Sequence, residues 1–133
     1  MAEAVIIVAI RSSEDIAIAR QKVRDIAIEM GFGVVPRTKI VTAASELARN
    51  TLDYGGGGDM RLEVVTNGPR KGIKIVFEDR GSGIPDLKLA MTDGYTTGKG
   101  MGLGLSGAKR LVNEFDIWTE VGKGTRVSIL QWK

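Results

Sequence analysis

The sequence predicts an α/β sandwich: a mixed, largely antiparallel sheet with helices on one face. Three observations lead there. Short apolar runs alternate with polar residues, as in strands; longer stretches repeat apolar residues at helical spacing; and the order reads β-α-α-β-β-(α)-α-β-β over 133 residues. Consecutive strand pairs with helices between them pack as a helical layer on one sheet. A chain of this length, with no internal repeat or break in composition, is read as a single domain, 1–133.

The elements follow in order. Val5–Ile10 is apolar and β-branched, a first strand. Ser12-Ser13-Glu14-Asp15 matches a capping box, and Ile16, Ala19, Val23, Ile26 and Met30 then recur at helical spacing up to Gly31 and Gly33. Pro36 suits the first turn of a second helix with the core stripe Ile40, Ala44, Leu47 and Thr51. Tyr54–Gly58 is a connector. Met60, Leu62 and Val64 form one strand, and Ile73, Ile75 and Phe77 the next. Asn67-Gly68 marks the turn between them, with Gly72 helping to close the hairpin. Asp86–Met91 suits a short helix and Thr92–Gly100 is irregular. Gly102–Phe115 reads as a helix, and Asp116–Val121 and Thr125–Trp132 as the final strands.

Composition removes several chemistries. Cysteine and histidine are both absent, so disulfides, Cys/His zinc sites, cysteine nucleophiles and Ser-His-Asp triads are excluded. A general base must be Asp, Glu, Lys or Tyr. A hard cation such as magnesium remains open, because it takes oxygen ligands. The net charge is +3 and the pI about 9.3. The basic residues are scattered and no stacking motif accompanies them, so no nucleic-acid partner is expected. No apolar run approaches the roughly 20 residues of a membrane span. The first apolar run has an acid before it and no basic flank, which argues against a signal peptide. No membrane association is expected, and the cytoplasm is the default compartment.

Three segments carry candidate chemistry. In the second helix, Glu46, Asn50 and Asp53 share a stripe roughly 100° from the core stripe. A carboxylate one turn from an amide can hold a metal's oxygen shell or deprotonate a hydroxyl; it can equally be a solvated polar edge. In Glu78–Pro85, Asp79 shares a strand face with Ile73, Ile75 and Phe77. A carboxylate there needs a donor, from backbone, a cation or a ligand amino group, or it turns out to cap the next segment. The glycines after it allow close approach of a flat ligand. The third segment is the glycine-rich "GKGMGLGLSG", 98–107, leading into a helix N-terminus, an arrangement suited to anions.

That third segment contains Gly102-x-Gly104-x-x-Gly107, the dinucleotide-binding fingerprint, and Glu120 lies 18 residues after Gly102. The fingerprint must follow a buried strand, whereas here it follows a polar, glycine-rich stretch from Met91 to Met101. The Rossmann reading therefore fails. A Walker A loop fails too, since Gly100 follows Lys99 where Ser or Thr is required. A protein-kinase glycine loop lacks its accompanying elements.

In this order the three segments resemble the GHKL ATPases, the family of gyrase, histidine kinase and MutL, whose Bergerat ATP-binding fold is an α/β sandwich. The helix with Glu46 and Asn50 is similar to their N box, Asp79-x-Gly81-x-Gly83 to the first glycine box, "GKGMGLGL" to the second, and Gly122-Lys-Gly124-Thr125 to the final Gly-Thr element. "SELARN", "EDRGSGIPD", "MTDGYTTG" and "GLGLSGAKRLVNEFDI" resemble the RsbT-type switch serine/threonine kinases. The related anti-sigma factors usually carry Asn-Ala and a His-Gly-Tyr element where this chain has Asn50-Thr51 and Asp53-Tyr54-Gly55.

The resemblance implies an ATP- and magnesium-dependent kinase of STAS-domain stressosome proteins that, when released, activates a PP2C-type phosphatase. A nucleotide-switched, anti-sigma-like binding protein is the alternative. By position, Glu46 would be the general base and Asn50 the magnesium ligand. Asp79 would accept from the adenine amino group, with Gly81, Gly83, Ile84 and Thr125 shaping its pocket. Lys99, Gly100, Met101, Gly102, Leu103 and Gly104 would surround the phosphates as a lid.

Overall fold

The computed structural model describes residues 5–87, 91 and 104–133. Its elements are β1 (Val5–Ile10), α1 (Ser13–Glu29), α2 (Val34–Asp53), β2 (Gly58–Asn67), β3 (Arg70–Asp79), α3 (Gly104–Leu111), β4 (Glu114–Glu120) and β5 (Gly124–Trp132). The strands form one sheet in the order β1-β2-β3-β5-β4. Every neighbouring pair is antiparallel.

Local chemistry sets the helix ends. The Asp15 N–H donates to the Ser12 hydroxyl at 3.4 Å, and the Arg11 N–H donates to the Asp15 carboxylate at 2.8 Å, which starts α1. Gly31 ends it at φ +84, a left-handed conformation that turns Phe32 into the core. In α2, Ile40, Ala43, Ala44, Leu47, Ala48 and Thr51 are buried. Three alanines on that face let α2 pack closely against the sheet while also touching α1 and α3. The Thr51 hydroxyl donates to the Leu47 carbonyl at 2.9 Å, so its burial leaves no polar group unpaired.

The core is a set of cross-strand rows. Val8, Met60, Phe77, Val127 and Ile117 stand side by side across all five strands, and Ile6, Leu62, Ile75, Ile129 and Phe115 form the next row. The residues on the three central strands are the most deeply buried. Burying each such side chain contributes roughly 1.5–3 kcal/mol. On the opposite face Arg61, Asp116 and Trp118 meet solvent. Among the described residues, no helix is long and apolar enough to cross a membrane.

Three local expectations are corrected. The helix expected to reach Phe115 ends at Leu111. The Asn113 side chain accepts the Trp132 N–H at 2.7 Å while the Asn113 N–H donates to Gln131 Oε1 at 3.1 Å, turning the chain into β4. Phe115 then pairs with Ile129 in the sheet. The β2–β3 turn is Gly68-Pro69 rather than Asn67-Gly68, because Asn67 still pairs with Arg70. Gly68 at φ +62, followed by proline, has the signs of a type II′ turn. Gly72 does not close the hairpin; a Cβ there would lie 2.8 Å from the Trp132 ring.

Candidate functional site

At one end of the sheet the inward rows stop being apolar. The row beyond Met60, Phe77 and Val127 reads Ile10, Gly58, Asp79, Thr125 and Thr119. The period of two places Asp79 on the face of Phe77, as the sequence predicts, and the carboxyl group is half-buried. Desolvation raises its pKa above the ordinary 3.8; backbone N–H groups of Gly81 and Thr125 oppose that rise, and the neighbouring Glu78 charge adds to it. Asp79 Oδ1 accepts the Gly81 N–H at 2.9 Å. The carboxylate therefore caps the following segment and also remains aimed along the inward face.

Glycines crowd the backbone and side chain of Asp79 and the loop that follows it. A Cβ at Gly55 would overlap the Asp79 carboxyl group, and one at Gly81 would lie 2.8 Å from the Gly55 carbonyl. Gly124, at φ +131, passes so close to the Asp79 carbonyl that no Cβ fits. Gly83, at φ +78, rests on the Glu120 backbone, and the Gly122 N–H donates to the Ser82 carbonyl at 2.8 Å. The loop after Asp79 is thereby fastened to the β4–β5 hairpin. Gly55 lies in what the sequence presents as a connector, and nothing local marks it.

The end of α2 reaches the same place. Glu46 and Asn50 are half-buried, next to the buried Leu47 and Thr51, whereas Arg49 and Asp53 are exposed. The polar edge thus ends at Asn50 and does not extend to Asp53. The Asn50 carbonyl accepts the N–H groups of Tyr54 and Gly55 at 3.0 and 3.2 Å. Its backbone consequently holds Gly55 against Asp79.

Thr125 and Ile84 also belong to this end of the sheet. The Ile84 N–H donates to Thr119 Oγ1 at 2.9 Å, and Thr119 and Thr125 hydroxyls are 2.9 Å apart. Sequence reasoning omits Thr119. The available signal is the flanking of the Gly122-Lys-Gly124 turn by Thr119 and Thr125, which hairpin pairing places opposite each other. Gly104 opens α3, whose first turn presents backbone N–H groups suited to anions. Lys99, Gly100, Met101, Gly102 and Leu103 lie outside the described residues.

This arrangement can take a flat ligand bearing an amino group. Asp79 offers it a half-buried acceptor, with Gly55 packed directly against the carboxyl group. Among the described residues, no cluster of three His, Cys, Asp or Glu side chains could hold a metal. The donors at the α2 edge, a carboxylate and an amide oxygen, instead fit a magnesium ion that takes most of its shell from phosphates and water.

Comparison with known proteins shows the family and the fold. Residues 36–133 match the family described as Histidine kinase-, DNA gyrase B-, and HSP90-like ATPase. The chain is 46% identical over 125 residues to the serine/threonine-protein kinase RsbT of Bacillus subtilis (strain 168), covering 94% of each chain. It is 32% identical over 95 residues to the anti-sigma F factor of Clostridium novyi (strain NT), covering 68% of this chain and 66% of that one. In structure it resembles the RsbU and RsbW domains of a Mycobacterium tuberculosis protein, with TM-score 0.64 and 20% identity, over 98% of this chain and 32% of that one. A histidine kinase domain from Erythrobacter litoralis aligns with TM-score 0.52 and 19% identity, over 89% of this chain and 59% of that one. These two likenesses show the fold: the antiparallel five-stranded sheet with its helices is the GHKL architecture. ATP is the nucleotide of this family. The chain belongs to the histidine kinase-, DNA gyrase B- and HSP90-like ATPases, and within them to the serine/threonine-protein kinases of the RsbT kind.

Proposed function

We propose that this kinase uses ATP and magnesium to phosphorylate a serine or threonine on STAS-domain stressosome proteins and, when released from them, binds and activates a PP2C-type phosphatase. The observation that carries the nucleotide reading is Asp79: a half-buried carboxylate at the end of the apolar face of β3, with Gly55 against its carboxyl group, the Gly81 N–H bonded to it and Gly124 against its backbone. The similarity to the serine/threonine-protein kinase RsbT supports the acceptor class.

In this reading Asp79 accepts from the adenine amino group, and Gly81, Gly83, Ile84 and Thr125 bound the base. Asn50 supplies one oxygen to magnesium. Magnesium, when bound, neutralises phosphate charge and fixes the phosphate geometry. Lys99, Gly100, Met101, Gly102, Leu103 and Gly104 surround the phosphates. Glu46 accepts the proton of the acceptor hydroxyl. The hydroxyl oxygen bonds to the γ-phosphorus as the bond to the bridging β–γ oxygen breaks, leaving ADP. Such transfer depends chiefly on positioning and charge neutralisation.

The test is incubation with magnesium, ATP and a STAS-domain protein, followed by detection of phosphate on that protein. Nucleotide binding without transfer to a matched partner would remove the kinase reading. The similarity to an anti-sigma factor supports a second reading, in which nucleotide switches the capture of a partner protein. Capture of a sigma factor that depends on nucleotide, with no phosphate transferred, would favour it.

A further inference from the structure

Thr119 takes no part in the steps above, yet its hydroxyl has three polar neighbours at the end of the sheet. Thr119 Oγ1 receives the Ile84 N–H at 2.9 Å, lies 3.2 Å from the Gly124 carbonyl oxygen and 2.9 Å from Thr125 Oγ1. A threonine hydroxyl has one proton and two lone pairs. The Ile84 N–H occupies one lone pair. The Gly124 carbonyl can only accept, so the Thr119 proton goes to it. The bond to Thr125 must then use the remaining lone pair, and Thr125 supplies the proton.

Thr125 consequently has no proton to offer a ligand; it can only accept. It is the cross-strand partner of Asp79 on the same inward face. An ionised carboxylate also only accepts. A ligand lying over this pair meets two acceptors and no hydroxyl donor.

We infer that Thr119 is a specificity-positioning residue: by fixing Thr125 as an acceptor beside Asp79, it selects a base with an exocyclic amino group over one with a carbonyl there. An amino group presents two hydrogens to the two acceptors, whereas a carbonyl oxygen meets two lone-pair donors and is repelled. The inference rests on the nucleotide reading of the site. Through Ile84, the same hydroxyl also keeps the loop after Asp79 in place.

The experiment is titration of the full chain with ATP and with inosine triphosphate, which replaces the amino group by a carbonyl. Wild type binds ATP more tightly. Thr119→Val removes the hydroxyl and frees the Thr125 proton, so the ATP-to-inosine preference falls about tenfold, the worth of one hydrogen bond. Thr119→Ser keeps the hydroxyl and the wild-type preference. A general loss of stability would weaken both nucleotides alike and leave the ratio unmoved. An unchanged ratio in Thr119→Val, or an equal loss in Thr119→Ser, overturns the inference alone. A wild type that binds neither nucleotide overturns the nucleotide reading and this inference with it. Loss of phosphate transfer with the binding preference intact counts only against the kinase reading.

Discussion

Gly55 lies directly against the carboxyl group of Asp79, so closely that a methyl group at position 55 would occupy the carboxylate's own space. One residue follows the end of α2 and the other closes β3. Their contact joins the helix carrying Glu46 and Asn50 to the end of β3 that carries the carboxylate. Gly55→Ala should therefore push Asp79 aside and weaken ATP binding by about tenfold or more, the worth of a hydrogen bond to a charged group. Gly56→Ala is the control: its φ is +74 and nothing lies within 4 Å of the added Cβ. It should cost about 1 kcal/mol of stability through backbone strain while leaving the ATP titration unchanged.

Asp79→Asn should separate stability from function. The folded pKa of Asp79 is raised above 3.8, so the folded protein holds this proton more tightly than the unfolded chain does. The stabilising contribution is complete below 3.8 and is lost as pH rises through the folded value. Above that window the ionised carboxylate is a liability. Ligand-free Asp79→Asn should be at least as stable as wild type at neutral pH, and this advantage should shrink on acidification. Denaturant melts at several pH values measure this. ATP affinity should fall in the same variant, since the amide can present a donor where an acceptor is required.

Glu46→Gln should lower the rate of phosphate transfer by about 10²–10⁴-fold, the usual contribution of a general base, with ATP affinity unchanged. Single-turnover transfer and equilibrium titration on the same preparation make the comparison. Asn50→Ala should abolish transfer by removing the amide oxygen assigned to magnesium. Full activity in either variant contradicts its role.

Phe77→Ala should destabilise the fold by about 3–5 kcal/mol, because it empties the centre of a row running across the sheet. Phe77 is 2% exposed and pairs with Met60 and Val127. Thermal or denaturant unfolding reads this directly.

Strand alternation made the inward position of Asp79 legible from the sequence, and helical spacing placed Glu46 and Asn50 beside the core stripe rather than on it. Those patterns are local, with periods of two and of about 3.6 residues. Phe115 is ambiguous in the sequence because its spacing from Leu111 suits a helix while its spacing from Ile117 suits a strand; Asn113, bonding across to Trp132, decides between them. Gly55, Gly72 and Thr119 owe their roles to contacts with residues distant in sequence. Gly72 accommodates the Trp132 ring, and Thr119 meets Ile84 from 35 positions away. No periodicity encodes such meetings.

The strand order has a consequence for the timing of assembly. β5 follows β3 and β4 in the sequence yet lies between them in the sheet. Thr125 reaches Asp79, and Thr119 gains its hydroxyl partner, only when β5 has inserted. An amino-terminal fragment ending before β5 could form the β1-β2-β3 part of the sheet but would have an unpaired β3 edge and no threonine beside the carboxylate. Under the proposed reading, recognition of the base would depend on the slowest kind of contact to form, one between distant parts of the chain. A nascent chain would become able to discriminate nucleotides only with the closing of its sheet.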